Sequence, residues 1–363
     1  MTIRPRPSLL NPELQRPSGL QSQPRNPALI WLDKNENLDP ELMAISHQVL
    51  SMLPADVLAT YPEVGALYRK LGAWADVSPD SLLLTPGSDG TIRLVYEAFV
   101  EPGDGVIYTE PTFAMYPVYA QMFGALAKPQ KYEKSPDGPI LDLQHLMARI
   151  QQEKPKLVCL PNPDSPTGSV LSPSNLRLLL TCCESAGTVL LIDEAYHPFF
   201  AETVASWTGQ SRNLIVARTF AKAWGVAGLR IGYAIAHPQT IALIHKMRPM
   251  YEVSTLATEF MVRMLDHVDA MQSSVQRTLA GKAYFAQAMR ALGFTVMNNE
   301  GNFLHVGFGE NGPAVHAALK GRVLYRAGFD MPCLAGFSRF SMAPRGILEP
   351  VVGIIEQAKR DIA

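Results

Sequence analysis

The sequence contains few of the features that mark metal-binding, secreted or membrane-embedded chains. Only four cysteines occur among 363 residues, at positions 159, 182, 183 and 333, and they lack the spacing of metal ligands. The eight histidines form no HExxH pattern. No apolar run approaches the roughly 20 residues that cross a bilayer. We therefore predict no metal, no membrane partner, and the reduced cysteines of a cytoplasmic protein.

The chain also has no excess of charge of either sign. Lys and Arg total 32 against 33 Asp and Glu, which gives a formal net charge of −1. Charged residues make up 18% of the chain, below the roughly 25% that is typical of soluble proteins. Such a chain presents no basic face to nucleic acid. We expect a small-molecule substrate, and a large core or subunit interface for the 47% of residues that are hydrophobic.

Length and composition indicate more than one structural unit. A chain of 363 residues is too long for one simple core. Six prolines within the first 30 residues interrupt the helix that a targeting peptide needs. We predict a Pro-rich arm over residues 1–30, a segment 31–52 that joins a small domain, a large domain over 53–252, and a small α+β domain over 253–363.

Continuous apolar runs in the middle of the chain predict the fold class. Lys156–Leu160, Thr188–Ile192 and Asn213–Ala217 are apolar or β-branched almost throughout. Strands that are buried on both faces of a parallel sheet show this pattern. Helix-length segments such as Ser172–Ala186 separate them. The pattern predicts an α/β fold with a mostly parallel central sheet. After about Tyr251 a long helical stretch runs towards Leu292.

Short polar motifs follow these strands at the edge where open α/β sheets bind ligands. Gly87-Ser88-Asp89 follows one strand and opens a helix, so its N–H groups are suited to a phosphate. Asp193 and Lys222 each follow one of the apolar runs. Taken singly, an ordinary capped helix or a solvated lysine would explain each motif. Their order along the chain favours one common site.

In that order the motifs resemble the fold-type I pyridoxal-phosphate enzymes, and among them the histidinol-phosphate aminotransferase branch. The resemblance extends from about Trp31 to the C-terminus. It rests on WLDKNEN from Trp31, YPE from Tyr61, GSDG from Gly87, PTFAMY from Pro111, NPDSPTG from Asn162, DEAY from Asp193 and RTFAKAWGVAGLRIGY from Arg218.

The resemblance implies a role for each residue around the cofactor, pyridoxal 5′-phosphate. Lys222 would form the Schiff base and move the substrate proton. Asp193 would pair with the pyridine nitrogen, Tyr196 would bond the phenolic oxygen O3′, and Phe113 would stack on the ring. The residues implied for the cofactor phosphate are Gly87, Ser88, Asp89, Thr219, Arg230 and, from the neighbouring subunit of a homodimer, Tyr61.

This sequence departs from the family pattern at two cofactor positions. Ser165 stands where the family has asparagine beside O3′. Because serine is shorter than asparagine, it would reach that oxygen only through water. Ala221 stands where serine often precedes the lysine. Neither change touches Lys222 or Asp193, so the resemblance still implies cofactor binding.

On the substrate side, the resemblance implies that Arg339 clamps a carboxylate, with Arg326 beside it. Asn37, in the Asn-Glu-Asn motif, and Glu252 are further expected substrate contacts. An acidic Glu252 would repel a phosphorylated donor and favour a neutral or cationic one. A solvated loop charge is the alternative interpretation of Glu252.

The function implied by the resemblance is an aminotransferase with a ping-pong mechanism. It would move an amino group between a 2-oxo acid and a small amino acid, or an amine such as histidinol phosphate. A decarboxylase of the threonine-phosphate type is an alternative, since Arg326 and Arg339 suit either reaction. A non-catalytic regulator on the same fold is the third reading, although the chain offers no segment suited to a DNA-binding domain.

Overall fold

The computed structural model describes residues 4–12, 14 and 24–362. They form a large unit around an eight-stranded sheet and a smaller unit around a three-stranded sheet. In this part of the chain, no helix is both long and apolar enough to cross a membrane.

The strands form three sheets. In chain order they are β1 (Ile30–Trp31), β2 (Leu82–Thr85), β3 (Gly105–Glu110), β4 (Leu126–Glu133), β5 (Ile140–Leu141), β6 (Leu157–Pro161), β7 (Val189–Asp193), β8 (Leu214–Thr219), β9 (Gly232–Ala236), β10 (Thr295–Val296), β11 (Phe303–Gly307), β12 (Val323–Leu324) and β13 (Ser338–Ser341). The large sheet has the order β2-β9-β8-β7-β6-β3-β4-β5, the small sheet has the order β10-β11-β13, and β1 pairs with β12.

The helices cover both faces of the large sheet and pack on the small one. In chain order they are α1 (Pro40–Ser51), α2 (Gly65–Ala75), α3 (Gly87–Phe99), α4 (Met115–Met122), α5 (Leu143–Glu153), α6 (Pro173–Ala186), α7 (Pro238–His245), α8 (Thr255–Met264), α9 (Val268–Ala291), α10 (Gly312–Leu319) and α11 (Arg345–Arg360).

The predicted α/β class with a mostly parallel central sheet is confirmed. Strands β4, β3, β6, β7 and β8 run parallel to one another. Strand β9 runs antiparallel between β2 and β8, and β5 is antiparallel at the opposite edge. The sheet is therefore mixed at its edges and parallel at its centre.

Strand β7 shows why the central runs are apolar throughout. Leu190 and Ile192 point to one face, where they join the same buried cluster as Leu179 of α6. Leu191 points to the other face and joins a cluster with Val95 of α3. Successive residues of a strand alternate between faces. Because helices cover both faces here, every position of the strand is buried.

Local signals set the ends of the helices between strands. Before α6, the Ser172 side chain accepts a hydrogen bond from the Asn175 N–H, and Pro173 occupies the first turn. Gly187 ends the helix at φ +70°, a left-handed conformation that glycine adopts without strain. These signals place α6 within one residue of the predicted segment.

The smaller unit contains β10, β11 and β13 with α9 and α11, and its structure corrects one prediction. The single helical stretch expected from Tyr251 to Leu292 is two helices, α8 and α9, joined by a 3-10 turn at Leu265–His267. No glycine or proline marks this break, since the residues around it are ordinary helix formers. The predicted domain boundaries at 52/53 and 252/253 stay a prediction.

Part of the predicted N-terminal arm lies against the large unit. Residues Pro7–Leu10 form a 3-10 turn, and the Ser8 hydroxyl donates to the carbonyl oxygen of Met122 at the end of α4. Residues 1–3, 13 and 15–23 of the arm lie outside the described residues.

Gly281 tests the packing of α9 on the smaller unit. A Cβ atom there would lie 1.9 Å from the carbonyl oxygen of Ala343. We expect Gly281→Ala to lower the free energy of unfolding by about 1–3 kcal/mol, because backbone must move. Gly353→Ala is the control: no atom lies within 4 Å of its Cβ position in α11, and helix propensity should raise stability by up to ~1 kcal/mol. Denaturant unfolding measures both, and an unchanged Gly281→Ala protein would contradict this packing.

Candidate active site

The parallel pairing of β6, β7 and β8 brings three loops to one edge of the sheet. Pro161 is the register partner of Asp193, and Asp193 is the register partner of Ala217. The strands therefore end nearly level, and the loops that follow them leave the sheet side by side. Of the predicted site residues, Ser165, Tyr196 and Lys222 lie on these loops, and Asp193 is the last residue of β7.

Asp193 is a buried carboxylate with two donors. The Tyr116 hydroxyl donates to Oδ2 at 3.1 Å, and the Ala195 N–H donates to Oδ1 at 3.0 Å. Burial raises the pKa of Asp193 to about 6, although the two donors act in the opposite direction. At neutral pH the group is mostly a carboxylate in a site of low polarity. Such a group binds a protonated ring nitrogen strongly.

Lys222 follows β8 and lies among the other functional groups. Its Nζ donates to the carbonyl oxygen of Lys34 at 2.8 Å and lies 5.9 Å from the ring centroid of Tyr196. Desolvation lowers the pKa of Lys222 to about 8, and the nearby cations Arg339 and Arg230 act in the same direction. A large fraction of this amine is therefore neutral near pH 8, as a nucleophile requires.

Tyr196 presents its hydroxyl to residues from three parts of the chain. The ring packs on Phe303 with centroids 5.2 Å apart, and the side chain is buried. Desolvation raises the pKa of Tyr196, while Arg339, Ser165 and Asn35 lower it. Of these neighbours, Asn35 donates from Nδ2 to the Tyr196 oxygen at 2.8 Å.

The start of α3 is built to receive an anion. The helix begins at Gly87, and the preceding Pro86 supplies no side-chain cap, so the N–H groups of the first turn remain available. Gly87 has φ +77°, and a Cβ there would lie 2.9 Å from Nη2 of Arg230. Only glycine allows this close approach of the guanidinium to the helix N-terminus.

The remaining cofactor residues lie around this position. Ser88 and Asp89 occupy the first turn of α3, and Tyr119 donates to Oδ1 of Asp89 at 3.0 Å. Thr219 ends β8, where its hydroxyl oxygen accepts the Ala221 N–H. Phe113 is 39% exposed, and its ring meets that of Tyr116 edge to face with centroids 6.3 Å apart.

Arg339 of β13 supplies a buried cation with spare donors. Its Nη2 donates to the carbonyl oxygen of Asp33 at 3.0 Å, and its guanidinium carbon lies 5.4 Å from the Phe303 ring centroid. Its Nε is buried without a hydrogen-bond partner among the described residues. Buried N–H groups rarely remain unpaired, so this one points to an acceptor from outside the chain. Arg326 is exposed and pairs with Arg339 through both backbone N–H groups.

Asn37 is engaged in contacts within the chain, and Tyr61 is exposed. Both N–H groups of the Asn37 amide are engaged within the chain, by Ala223 O and Ser274 Oγ at 2.9 Å. Any substrate contact of Asn37 is left to its oxygen, which already accepts the Asp39 N–H. Tyr61 is 72% exposed and stacks on Tyr251 at a centroid distance of 4.2 Å.

Glu252 lines a separate cavity of about 310 Å³ with Arg93 and Glu97. Burial raises its pKa to about 7, while Arg248 and Arg93 act in the opposite direction. Its neighbours are thus the charged side chains of α3 and of its own loop. Its role towards a substrate stays a prediction.

Three residues at the site were missed from the sequence. Tyr116 bonds Asp193, Asn35 bonds Tyr196 at 2.8 Å, and Arg25 forms ion pairs with Asp33 and Glu36 at 2.8 and 2.6 Å. Tyr116 and Asn35 lie within two of the sequence motifs described above, PTFAMY and the Asn-Glu-Asn triplet. Nothing in the sequence marks Arg25.

Together these residues fit pyridoxal 5′-phosphate. A buried carboxylate suits the ring nitrogen, a lysine of lowered pKa suits the aldehyde, and the uncapped helix with Arg230 suits the phosphate. The unpaired Nε of Arg339 suits a substrate anion. The fold and the site thus define a pyridoxal-phosphate-dependent enzyme of fold type I.

Comparison with known proteins assigns the class more narrowly. Residues 27–348 match the model of the aminotransferase class I and II family, and the chain belongs to this family. It is 33% identical over 319 residues to histidinol-phosphate aminotransferase 2 of Ralstonia nicotianae, covering 83% of this chain and 79% of that one. It is 33% identical over 328 residues to the histidinol-phosphate aminotransferase of Symbiobacterium thermophilum, covering 88% and 85%.

Solved structures share the fold. The histidinol-phosphate aminotransferase of Sinorhizobium meliloti, in complex with pyridoxal-5′-phosphate, superposes with a TM-score of 0.79 at 22% identity, over 95% of this chain and 97% of that one. A putative histidinol-phosphate aminotransferase of Erwinia carotovora atroseptica gives a TM-score of 0.81 at 22% identity, over 92% and 97%. The predicted pyridoxal-phosphate-dependent aminotransferase is confirmed, and neither the decarboxylase nor the regulator is favoured.

Tyr116→Phe tests the environment of Asp193. Loss of the donor to Oδ2 should raise the pKa of Asp193 above about 6, by about one unit. The carboxylate then exists only at higher pH, so the pH below which cofactor affinity falls should rise by the same amount. Equilibrium titration with pyridoxal phosphate across pH measures this.

Tyr96→Phe is the matched control for Tyr116→Phe. Tyr96 is equally buried in the same cluster, but its hydroxyl donates to the carbonyl oxygen of Tyr116 and not to Asp193. Its pH dependence should match the wild type. Equal shifts in both variants would show that loosened packing, and not the bond to Asp193, sets the profile.

Proposed function

We propose that this aminotransferase exchanges the amino group of histidinol phosphate with a 2-oxo acid. Relatives that share a third of their residues with this chain bear that name. The observation that supports it most is the arrangement of Lys222, Tyr196 and Arg339: an amine of lowered pKa beside a phenol and a buried, partly unpaired guanidinium. The 2-oxo acid supplies the carboxylate for that guanidinium.

Bound pyridoxal phosphate supplies an aldehyde that combines with amines and a ring that accepts electrons. In the proposed site, Asp193 holds a proton on the ring nitrogen, Tyr196 donates to O3′, and Phe113 covers one ring face. The phosphate is bound by the N–H groups of Gly87, Ser88 and Asp89, by Thr219 and by Arg230. Ser165 would reach O3′ through water.

Lys222 is the proposed general base. Its pKa of about 8 means that it is partly neutral under physiological conditions. A neutral amine takes the proton from Cα of the amino donor, and the resulting ammonium returns a proton in the reverse half-reaction. The cations Arg339 and Arg230 disfavour the protonated form, which makes the return of the proton easier.

Glu252 is not expected to repel a phosphorylated donor. Its pKa of about 7 makes it half protonated near neutral pH, and Arg248 and Arg93 lie close to it. The local field is therefore much less negative than a lone glutamate suggests. Arg326, exposed beside Arg339, is available to a donor phosphate.

An exposed apolar surface supports a homodimer. Leu58 is 81% exposed and Met250 is 78% exposed, and they lie close in sequence to Tyr61 and Tyr251, which stack on each other. Apolar side chains clustered on a surface mark an interaction site. We propose that a second copy covers this surface, that Tyr61 reaches the cofactor phosphate of the partner, and that the dimer works in the cytoplasm.

Donor specificity tests the proposed reaction. With 2-oxoglutarate as acceptor, kcat/KM for histidinol phosphate should exceed that for histidinol by at least about tenfold, the effect of one charge-assisted contact to the phosphate. Lys222→Ala should reduce the rate by at least about 10³-fold, whereas Lys246→Ala, an exposed lysine beyond α7, should not. Equal rates with both donors would contradict the proposed donor while leaving the aminotransferase class intact.

Mixing of two variants tests the position of Tyr61. Tyr61→Ala and Lys222→Ala homodimers should both be impaired. If Tyr61 serves the partner's site, a mixed dimer places both defects in one site and leaves the other intact, so mixing unfolded and refolded chains should restore activity. Activity that stays at the mean of the two parents would show that Tyr61 serves its own subunit or none.

A further inference from the structure

The oxygen of Tyr196 receives a hydrogen-bond donor that the sequence does not suggest. Nδ2 of Asn35 donates to it at 2.8 Å. A phenol oxygen has two lone pairs and one proton. Because the amide of Asn35 donates to one of these lone pairs, the proton of Tyr196 stays available to an acceptor other than Asn35.

The orientation of the Asn35 amide is fixed by its other contacts. The backbone N–H of Asn35 donates to Oγ of Ser341 at 2.7 Å, so that hydroxyl keeps its own proton for Oδ1 of Asn35, 3.0 Å away. With Oδ1 taken as the acceptor, Nδ2 is left facing Tyr196. The amide therefore acts as a donor to the phenol and not as an acceptor.

The backbone of Asn35 is also held in an unusual conformation. It has φ +55°, a left-handed conformation in which asparagine is enriched among residues other than glycine. Asn302 donates from Nδ2 to the carbonyl oxygen of Asn35 at 3.1 Å. The side chain is almost fully buried. Such a residue is too well fixed to be an incidental neighbour of Tyr196.

Asn35 belongs to a short strap, residues 33–35, that touches three functional side chains in succession. The carbonyl oxygen of Asp33 accepts from Arg339, that of Lys34 accepts from Lys222, and the side chain of Asn35 donates to Tyr196. These three contacts fix the position of the N-terminal segment relative to the site.

We propose that Asn35 is a positioning residue of the reaction. By donating to the Tyr196 oxygen, it would direct the phenol proton towards O3′ of the cofactor, where the family has an asparagine and this chain has the shorter Ser165. This inference rests on the role proposed for Tyr196. It adds a residue from the N-terminal segment to a site otherwise built from strand ends and from β13.

Asn35→Asp is the most direct test. The substitution keeps the shape, the acceptor for Ser341 and tolerance of positive φ, but it replaces the donor by a carboxylate oxygen. The introduced carboxylate would draw the Tyr196 proton to itself. Without that donor, O3′ of the bound cofactor would carry more negative charge, and the Nζ of Lys222 that holds the cofactor would keep its proton to a higher pH.

The measurement is the pH midpoint of the visible absorption change of the full-length protein loaded with pyridoxal phosphate. We expect the midpoint of Asn35→Asp to rise by about one pH unit, with kcat/KM about tenfold lower. Asn302→Ala loosens the same strap but keeps the donor, so its midpoint should stay at the wild-type value. Asn35→Gly, which accepts positive φ, replaces Asn35→Asp if that protein fails to fold.

A double-mutant cycle tests the role of Asn35 separately from the role of Tyr196 on which it rests. Tyr196→Phe should raise the midpoint by itself, and adding Asn35→Asp should cause no further rise, because Asn35 acts only through the phenol. A shift in Tyr196→Phe without one in either Asn35 variant would overturn the role of Asn35 alone. Additive shifts, or an equal shift in Asn302→Ala, would also overturn it. No shift in Tyr196→Phe would overturn both proposed roles.

Discussion

The level ends of β6, β7 and β8 determine where each reactive group of this enzyme stands. Parallel strands with helices on both faces must be apolar along their whole length, and polar residues can appear only where a strand ends. Asp193 is the last residue of β7, so its carboxylate stands at the boundary between core and site. Its raised pKa follows from that position. A cationic group such as a protonated ring nitrogen stabilises such a carboxylate, which is the role proposed for Asp193.

The same physical effect acts with opposite sign on Lys222. Desolvation raises the pKa of an acid and lowers that of an amine, so both groups move towards neutral pH. An enzyme that shuttles protons needs groups that exchange them near the pH of the cell. The N-terminal strap and Arg339 complete the enclosure from outside the large sheet. The carbonyl oxygens of Asp33 and Lys34 supply acceptors to the two cations without adding charge.

Much of this architecture could be predicted from the sequence, because burial on two faces leaves a pattern in consecutive residues. The central strands β6, β7 and β8 lie within two residues of their predicted bounds, and α3 begins at the predicted Gly87. The antiparallel direction of β9 could not be predicted, since a short buried strand has the same composition in either direction. The break between α8 and α9 lacks the glycine or proline that usually signals one. Contacts across the chain were equally hidden: Asn35 is oriented by Ser341, 306 residues away. At Ser165 the sequence showed the loss of an asparagine, but not that Asn35 would donate to the Tyr196 oxygen.

The central claim is that Lys222, among all the lysines of the chain, carries the cofactor. Reduction of the loaded protein with borohydride fixes pyridoxal phosphate to the lysine that holds it, and mass spectrometry of the digest then locates the added group. The account predicts one labelled peptide, containing Lys222, and loss of that label when the amine is first displaced by an amino donor. A label on another lysine, or labels spread over exposed lysines with Lys222 unmodified, would contradict it.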